Sequence, residues 1–414
     1  MIIGKRGFAA GCAMVAMILC GSAVFAGSTQ YVITNDDVIA GPNTLTVFSL
    51  NSSTGALTHV KTIQTNGFGV GGGFFSTPRL AVNSNCIFAT DSGTTVDGVQ
   101  IGDIAAILAS TFALVGNYSD ATLSGVENGI GLVLNPNGQY LYAAYTTSKN
   151  IGVWQIGANC SLTLVNSYKD GGQVAGMAMA QQSSGAQYLV TSYPYYPFQS
   201  YVNLFIISGG GSTLAQEAVG EQPASGSPGA VQVTDDGNVA VFGDTNDYAE
   251  MESWWISTTP GSCNPAAAPP PCLIGNQDFK HLGPANNSTN IRLSPAAASN
   301  PTTGGCLYIA NNSDYRVSTE TFVEGTAPGT VSLTRTVGSP FTVTVAPGEI
   351  YAADIHVSDS SPTGGMIVMA EFPNYILTAP VNSDCSLGAS VITADNSLEA
   401  SVLSLGITAP GTAH

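Results

Sequence analysis

Residues 129–168 read GIGLVLNPNGQYLYAAYTTSKNIGVWQIGANCSLTLVNSYK, and this segment constrains the fold more than any other. It holds four strand-like runs, Gly131 to Leu134, Gln139 to Tyr145, Asn150 to Ile156 and Leu162 to Tyr168, separated by NPNG, TTS and GANCS turns. Four short strands joined by tight turns form one propeller blade, a unit that hides its apolar faces only by packing against copies of itself. Copies are present along the chain. YVITN, TLTVFSLNSSTG and ALTHVKTI supply three strands over residues 31–63, and further four-strand units run over 79–118, 174–219, 229–283, 289–337 and 350–392.

The first unit lacks an innermost strand, while EASVLSLGI, Glu399 to Ile407, has no unit of its own. Joining the two completes one blade from both chain ends and removes the free sheet edges that an open array would expose. The expected fold is therefore all-β: a seven-bladed β-propeller of four-stranded antiparallel blades, its ring closed by N- and C-terminal strands in one blade. An open solenoid would need polar capping repeats, and none is visible. A two-sheet sandwich does not accommodate this many strands.

Ahead of the first blade, Lys5 and Arg6 precede an apolar run from Gly7 to Leu19, and the stretch Ser22 to Ala26 ends in small residues. This is the layout of a secretory leader. The expected organisation is a signal peptide over 1–26 and a single propeller domain over 27–414, secreted or periplasmic. Lipid attachment at Cys20 is disfavoured because Leu19 stands where a small residue is required. No later stretch has the roughly 18 consecutive apolar residues of a membrane-spanning helix.

Charge excludes several partners. Charged residues make up 9% of the chain, against about 25% in an average globular protein. Removing the leader takes away Lys5 and Arg6 from 10 basic residues and none of the 27 acids, moving the net charge from −17 to −19. The remaining basic residues form no run, so nucleic acid and polyanionic surfaces are not expected partners. A monomer is expected.

Six cysteines follow the leader, Cys86, Cys160, Cys263, Cys272, Cys306 and Cys385, and an even count in an exported chain reads as disulfides. Cys263 and Cys272 bracket the loop CNPAAAPPPC. Cys86 lies at the turn between the first two strands of blade 2, and Cys160 between the last two of blade 3. Cys306 and Cys385 repeat that relationship in blades 6 and 7. Both kinds of turn fall on one face of a propeller, so the register predicts Cys86–Cys160 and Cys306–Cys385.

The text LNPNGQYLYAAY…NIGVWQIGANCSLTLV and the opening YVITN resemble the seven-bladed lactonase-type propellers with YVTN-like repeats, a family that includes 6-phosphogluconolactonase and carboxymuconate lactonising enzyme. The resemblance covers essentially all of 27–414 and implies lactone-ring hydrolysis at the mouth of the central channel. The family's enzymes carry proline-arginine-histidine at the opening of an innermost strand. This chain has Pro78-Arg79-Leu80, without the histidine.

Counting back from the first turn of each blade aligns Arg79 with Asn290 and Asp354, and places Gln232, Arg292 and His356 two residues further in. Such a group has the parts for opening a lactone with water. His356 is the candidate base, Asp354 an acid or orienting carboxylate, and Arg79 or Arg292 the positive charge for a developing oxyanion. Gln232 and Asn290 are candidate ligand contacts. So are Glu371 and Tyr145 at the ends of second strands, and Tyr195 in the aromatic loop after blade 4's second strand. The scarcity of cations favours a neutral or weakly charged ring over a phosphorylated one.

Two other readings stay open. Arg, Asp and Asn lining a propeller channel also pair with one another and bind water, which would leave a non-catalytic module recognising an extracellular glycan, peptide or envelope partner. No cofactor is expected. His59, His281 and His414 share no pocket, so no metal site is assigned, while a divalent cation on acidic loops through Asp36, Asp37 or Asp247 stays open without supporting spacing. Gly67 to Gly72 matches GxGxxG but precedes a strand rather than a helix, and reads as a connection.

Overall fold

The computed structural model describes residues 30–38, 42–69, 78–92, 95–96, 99–100, 103–120, 129–145, 148–193, 200–224, 228–244, 251–264, 266, 268–279, 288–299, 301–311, 316–327, 330–342, 352–358, 365–371, 375–394 and 404–407. They form seven antiparallel blades of four strands each, to which the short strands Gln222–Pro223 and Phe341–Thr342 add a fifth beside the third strand in blades 4 and 6. Their innermost strands, Ser404–Ile407, Leu80–Val82, Gly129–Leu134, Gly176–Gln181, Pro228–Val233, Ser288–Leu293 and Ala352–Ser358, neighbour one another in a closed ring around a channel. The chain is a seven-bladed β-propeller.

Blade 1 is the composite one. Ser404–Ile407 lies antiparallel to Gln30–Asn35, with Ile407 opposite Val32 and Ser404 opposite Asn35, and Pro42–Leu50 and Leu57–Phe68 complete it. The closing strand fits tightly: a Cβ at Gly406 would stand 2.6 Å from Val82 Cγ2, so a larger residue would push blade 1 away from blade 2.

The recurring text at the first turns has a local cause. Asn135 Oδ1 accepts the backbone N–H groups of Gln139 (2.9 Å) and Tyr140 (2.8 Å), and Gly138 adopts φ +67°, a conformation that costs glycine little. Asn83 Oδ1 does the same for Asn85 (2.9 Å) and Cys86 (2.8 Å) in blade 2. Between the turns, second strands such as Cys86–Asp91 and Val239–Asp244 are wholly buried, as strands covered on both faces must be.

The core is divided among the blade seams. Ile33, Leu45 and Val47 of blade 1 meet Ile87, Ala105 and Ile107 of blade 2, and corresponding clusters fill the other six seams. Full burial of each such side chain is worth about 1.5–3 kcal/mol. Disulfides reinforce two seams and one loop: Cys86–Cys160 joins blades 2 and 3, Cys306–Cys385 joins blades 6 and 7, and Cys263–Cys272 closes the loop before the outermost strand of blade 5. The two inter-blade bridges are the pairs that the blade register predicts, and the third joins the cysteines that bracket CNPAAAPPPC. Among the described residues no helix is long and apolar enough to cross a membrane.

The third strand of blade 2 is Asp103–Leu108, preceded by a two-stranded ribbon of Thr95–Val96 and Val99–Gln100.

Candidate functional site

Three innermost strands bring polar side chains to one point in the channel. Gln232 (blade 5), Arg292 (blade 6) and His356 (blade 7) line a cavity of about 350 Å³. Leu80, Val82, Leu293, Val357 and Gly406 complete its wall, which is apolar apart from the three polar groups. A cavity of this size admits a small ring compound.

Arg292 organises the cluster. Its Nε donates to the Ile355 carbonyl oxygen at 3.1 Å, its Nη1 donates to Gln232 Oε1 at 3.4 Å, and its Nη2 lies 2.7 Å from both His356 ring nitrogens. A guanidinium only donates, so the imidazole nitrogen facing it accepts; in the neutral ring the other nitrogen carries the proton. The backbone bond fixes the fork from behind. All three polar residues are half-buried and open to the cavity, where a weakened dielectric strengthens their pull on a developing negative charge.

The remaining sequence-predicted residues are distributed as follows. Asn290 is buried at 6% exposure, two residues before Arg292 in the same strand. Asp354 occupies the matching position two residues before His356, opposite Ala370. Both strands carry a register shift at this end, between Ser288 and Asn290 and between Ala352 and Asp354. Such bulges re-aim side chains at a barrel or propeller rim. Glu371 ends the second strand of blade 7, opposite Ala352 and Tyr375. Tyr195 lies outside the described residues.

Two others stand apart from the cavity lining. Arg79 is 2% exposed, and its Nη1 contacts Asp37 Oδ2 at 2.9 Å across the seam between blades 2 and 1. Tyr145 is fully buried in the apolar cluster between blades 2 and 3 with Phe88, Leu132 and Trp154.

The apolar wall was not singled out in the sequence, and in blade 2 the lining residues Leu80 and Val82 stand one position off the register that placed Gln232. No group of three or more histidine, cysteine, aspartate or glutamate side chains suited to a metal ion occurs among the described residues.

No family model matches the sequence, and no curated protein matches it. Solved structures do match its shape. The periplasmic gluconolactonase PpgL of Pseudomonas aeruginosa superimposes with a TM-score of 0.63 at 14% identity, covering 93% of this chain and 99% of that one. A protein from Lactobacillus plantarum gives 0.64 at 12% identity over 92% and 99%. A candidate 6-phosphogluconolactonase from Bacteroides fragilis gives 0.62 at 13% identity over 92% and 98%. At these identities the likeness establishes a shared propeller fold.

Proposed function

We propose that the protein is an exported hydrolase of small neutral or weakly charged lactones, acting in the channel cavity. The observation that carries this reading is the convergence of Arg292, His356 and Gln232 on one cavity of suitable size. The likeness to structures described as a gluconolactonase and a candidate 6-phosphogluconolactonase agrees with it.

In this reading the lactone carbonyl oxygen enters beside Arg292 and takes the Nη2 donor now directed at His356. The freed imidazole nitrogen accepts a proton from water as the water oxygen attacks the carbonyl carbon. Arg292 holds the oxyanion of the tetrahedral intermediate, and the imidazolium then returns the proton to the leaving ring oxygen. Gln232 and Asn290 orient the ring, and Asp354 orients the base. Arg79, held by Asp37, sets the blade 1–blade 2 wall. A single cation in the cavity lining and four apolar side chains fit a ring without a phosphate.

Export through cleavage of residues 1–26, leaving one domain over 27–414, is part of the same proposal. The three disulfides support it, since such bonds persist in oxidising compartments.

The test is hydrolysis of a panel of neutral and acidic lactones by the mature protein, alongside His356→Ala and a chelated sample. Turnover that survives chelation and is lost in the variant supports the mechanism. Folded protein inert towards every lactone would discard it in favour of a non-catalytic module for a glycan or peptide.

A further inference from the structure

Away from the channel cavity, two carboxyl groups meet at the mouth-side end of blade 2. Asp91 and Asp103 are direct cross-strand partners on neighbouring strands, and both are fully buried. Asn43 of blade 1 donates its amide to Asp91 Oδ1 at 2.6 Å, and Asn117 donates to Asp103 Oδ2 at 3.3 Å. That leaves Asp91 Oδ2 and Asp103 Oδ1 without a hydrogen-bond partner. The nearby Thr65 hydroxyl donates to the Asn43 carbonyl oxygen at 3.1 Å, and its closeness to Asp91 only partly offsets the effect of burial there. Their direct cross-strand pairing puts the two side chains next to each other on one face of the sheet.

Two buried carboxylates at neighbouring cross-strand positions repel, which opposes ionisation of both. The charged groups around them make matters worse for a second negative charge. Asp37, on the turn after Gln30–Asn35, adds repulsion at Asp91, and the guanidinium of Arg79 is taken up by Asp37 itself. Asp36, on the same turn, has its carboxylate occupied by the hydroxyls of Thr34, Thr44 and Thr46. Lys61, on the strand Leu57–Phe68, bonds the Thr111 and Phe112 carbonyl oxygens. Asp120 follows the outermost strand of blade 2.

The pair also sits where blade 1 packs closely on blade 2. A Cβ at Gly67 of blade 1 would stand 2.5 Å from Asp91 Oδ2. Around it, Asn35 Nδ2 donates to the Thr90 carbonyl oxygen at 3.0 Å, and Ser92 N–H donates to that of Phe68 at 2.8 Å.

We propose that Asp91 and Asp103 share one proton, and that this proton latches the mouth-side seam between the closing blade and blade 2, so that alkali loosens the ring there first. Loss of the proton breaks one O–H bond, passes the proton to hydroxide as water, and leaves two carboxylates that repel. Burial holds Asp91 well above the usual carboxylate range and Asp103 at about 6, in keeping with this arrangement. Blade 1 is the blade that the two chain ends close, through the pairing of Ser404–Ile407 with Gln30–Asn35. The inference is independent of the lactonase reading.

Native-state hydrogen exchange on the whole mature protein between pH 5 and pH 9, corrected for intrinsic rates, tests it. Amides of Gln30–Asn35 and Pro42–Leu50 are expected to lose protection by up to about tenfold per pH unit as pH rises from the ordinary carboxylate range towards the pH at which the closed pair gives up its proton, and to level off above it, while those of Tyr140–Tyr145 in blade 3 do not follow that slope. Asp103→Asn, whose amide donates to Asp91 without titrating, should abolish the slope, and Asp91→Asn serves the same purpose if the first variant fails to fold. A flat profile in blade 1 of the parent protein overturns the proposal. So does an unchanged slope in a folded variant, or protection restored at alkaline pH by calcium chloride in the parent alone, which would put a cation where the proton is assigned.

Discussion

Arg79 Nη1 lies 2.9 Å from Asp37 Oδ2, with both side chains buried, so the residue that opens the innermost strand of blade 2 is tied to the second-to-third-strand turn of blade 1. Breaking one side of a buried ion pair strands the other charge, at a cost of about 3–5 kcal/mol. Arg79→Met is therefore expected to lower unfolding stability by that amount in urea denaturation. The double change Arg79→Met with Asp37→Asn should regain much of it, because no bare charge remains. A single variant within about 1 kcal/mol of the parent would contradict the role assigned to the pair.

The two inter-blade disulfides close long loops, with sequence separations of 74 and 79, against 9 for Cys263–Cys272. Chain entropy assigns roughly 4 kcal/mol to each long bridge and about 2.5 kcal/mol to the short one. Cys86→Ala with Cys160→Ala should therefore lower the thermal midpoint more than Cys263→Ala with Cys272→Ala. The reverse order, read by calorimetry on the two double variants, would show that native-state packing rather than loop closure sets the difference.

The blades and their closure were legible because strand cadence and turn chemistry repeat locally: Asn83 and Asn135 cap their own turns through neighbouring backbone N–H groups, which a sequence displays directly. The same turns made Gln232, Arg292 and His356 alignable. Counting from the turn reaches them before the register shifts at Ser288/Asn290 and Ala352/Asp354. What the sequence concealed depends on pairing across blades. Asp37 reaches Arg79 from 42 positions away, and only because its backbone adopts φ +53°, a choice unusual for a non-glycine residue. Asp103 was hidden differently, since the Thr95–Gln100 ribbon obscures where its strand begins and hence that it faces Asp91.

If the cavity hydrolyses lactones, its residues should separate by role. Arg292→Ala removes the donor to the oxyanion and is expected to lower kcat about 10²–10³-fold, with little change in folding because the side chain is half-buried. Gln232→Ala, which removes the amide that orients the ring and accepts from Arg292 Nη1, should raise KM more than it lowers kcat. Steady-state kinetics on the two variants decides this. Equal loss of kcat in both would mean that the amide, too, acts in the transition state.

Glu217 offers a pH dependence separate from the mouth. It is 3% exposed, its Oε2 accepts the Leu273 N–H at 3.0 Å across the seam between blades 4 and 5, and its Oε1 has no partner. Burial raises its pKa from 4.5 to about 8, with the Leu273 N–H pulling weakly the other way. Because the folded value exceeds the unfolded one, the folded state binds the proton more tightly. The associated stability is complete below about pH 4.5 and is lost as pH rises towards 8. The total is roughly 3–5 kcal/mol. Glu217→Gln keeps the acceptor for Leu273 and cannot ionise, so its unfolding free energy should fall less than that of the parent between pH 5 and pH 9, the two curves diverging on the alkaline side. Parallel curves from urea titrations at those pH values would show that the carboxyl is already ionised in the folded protein, and that water or a shift of the blade 4 edge relieves its burial.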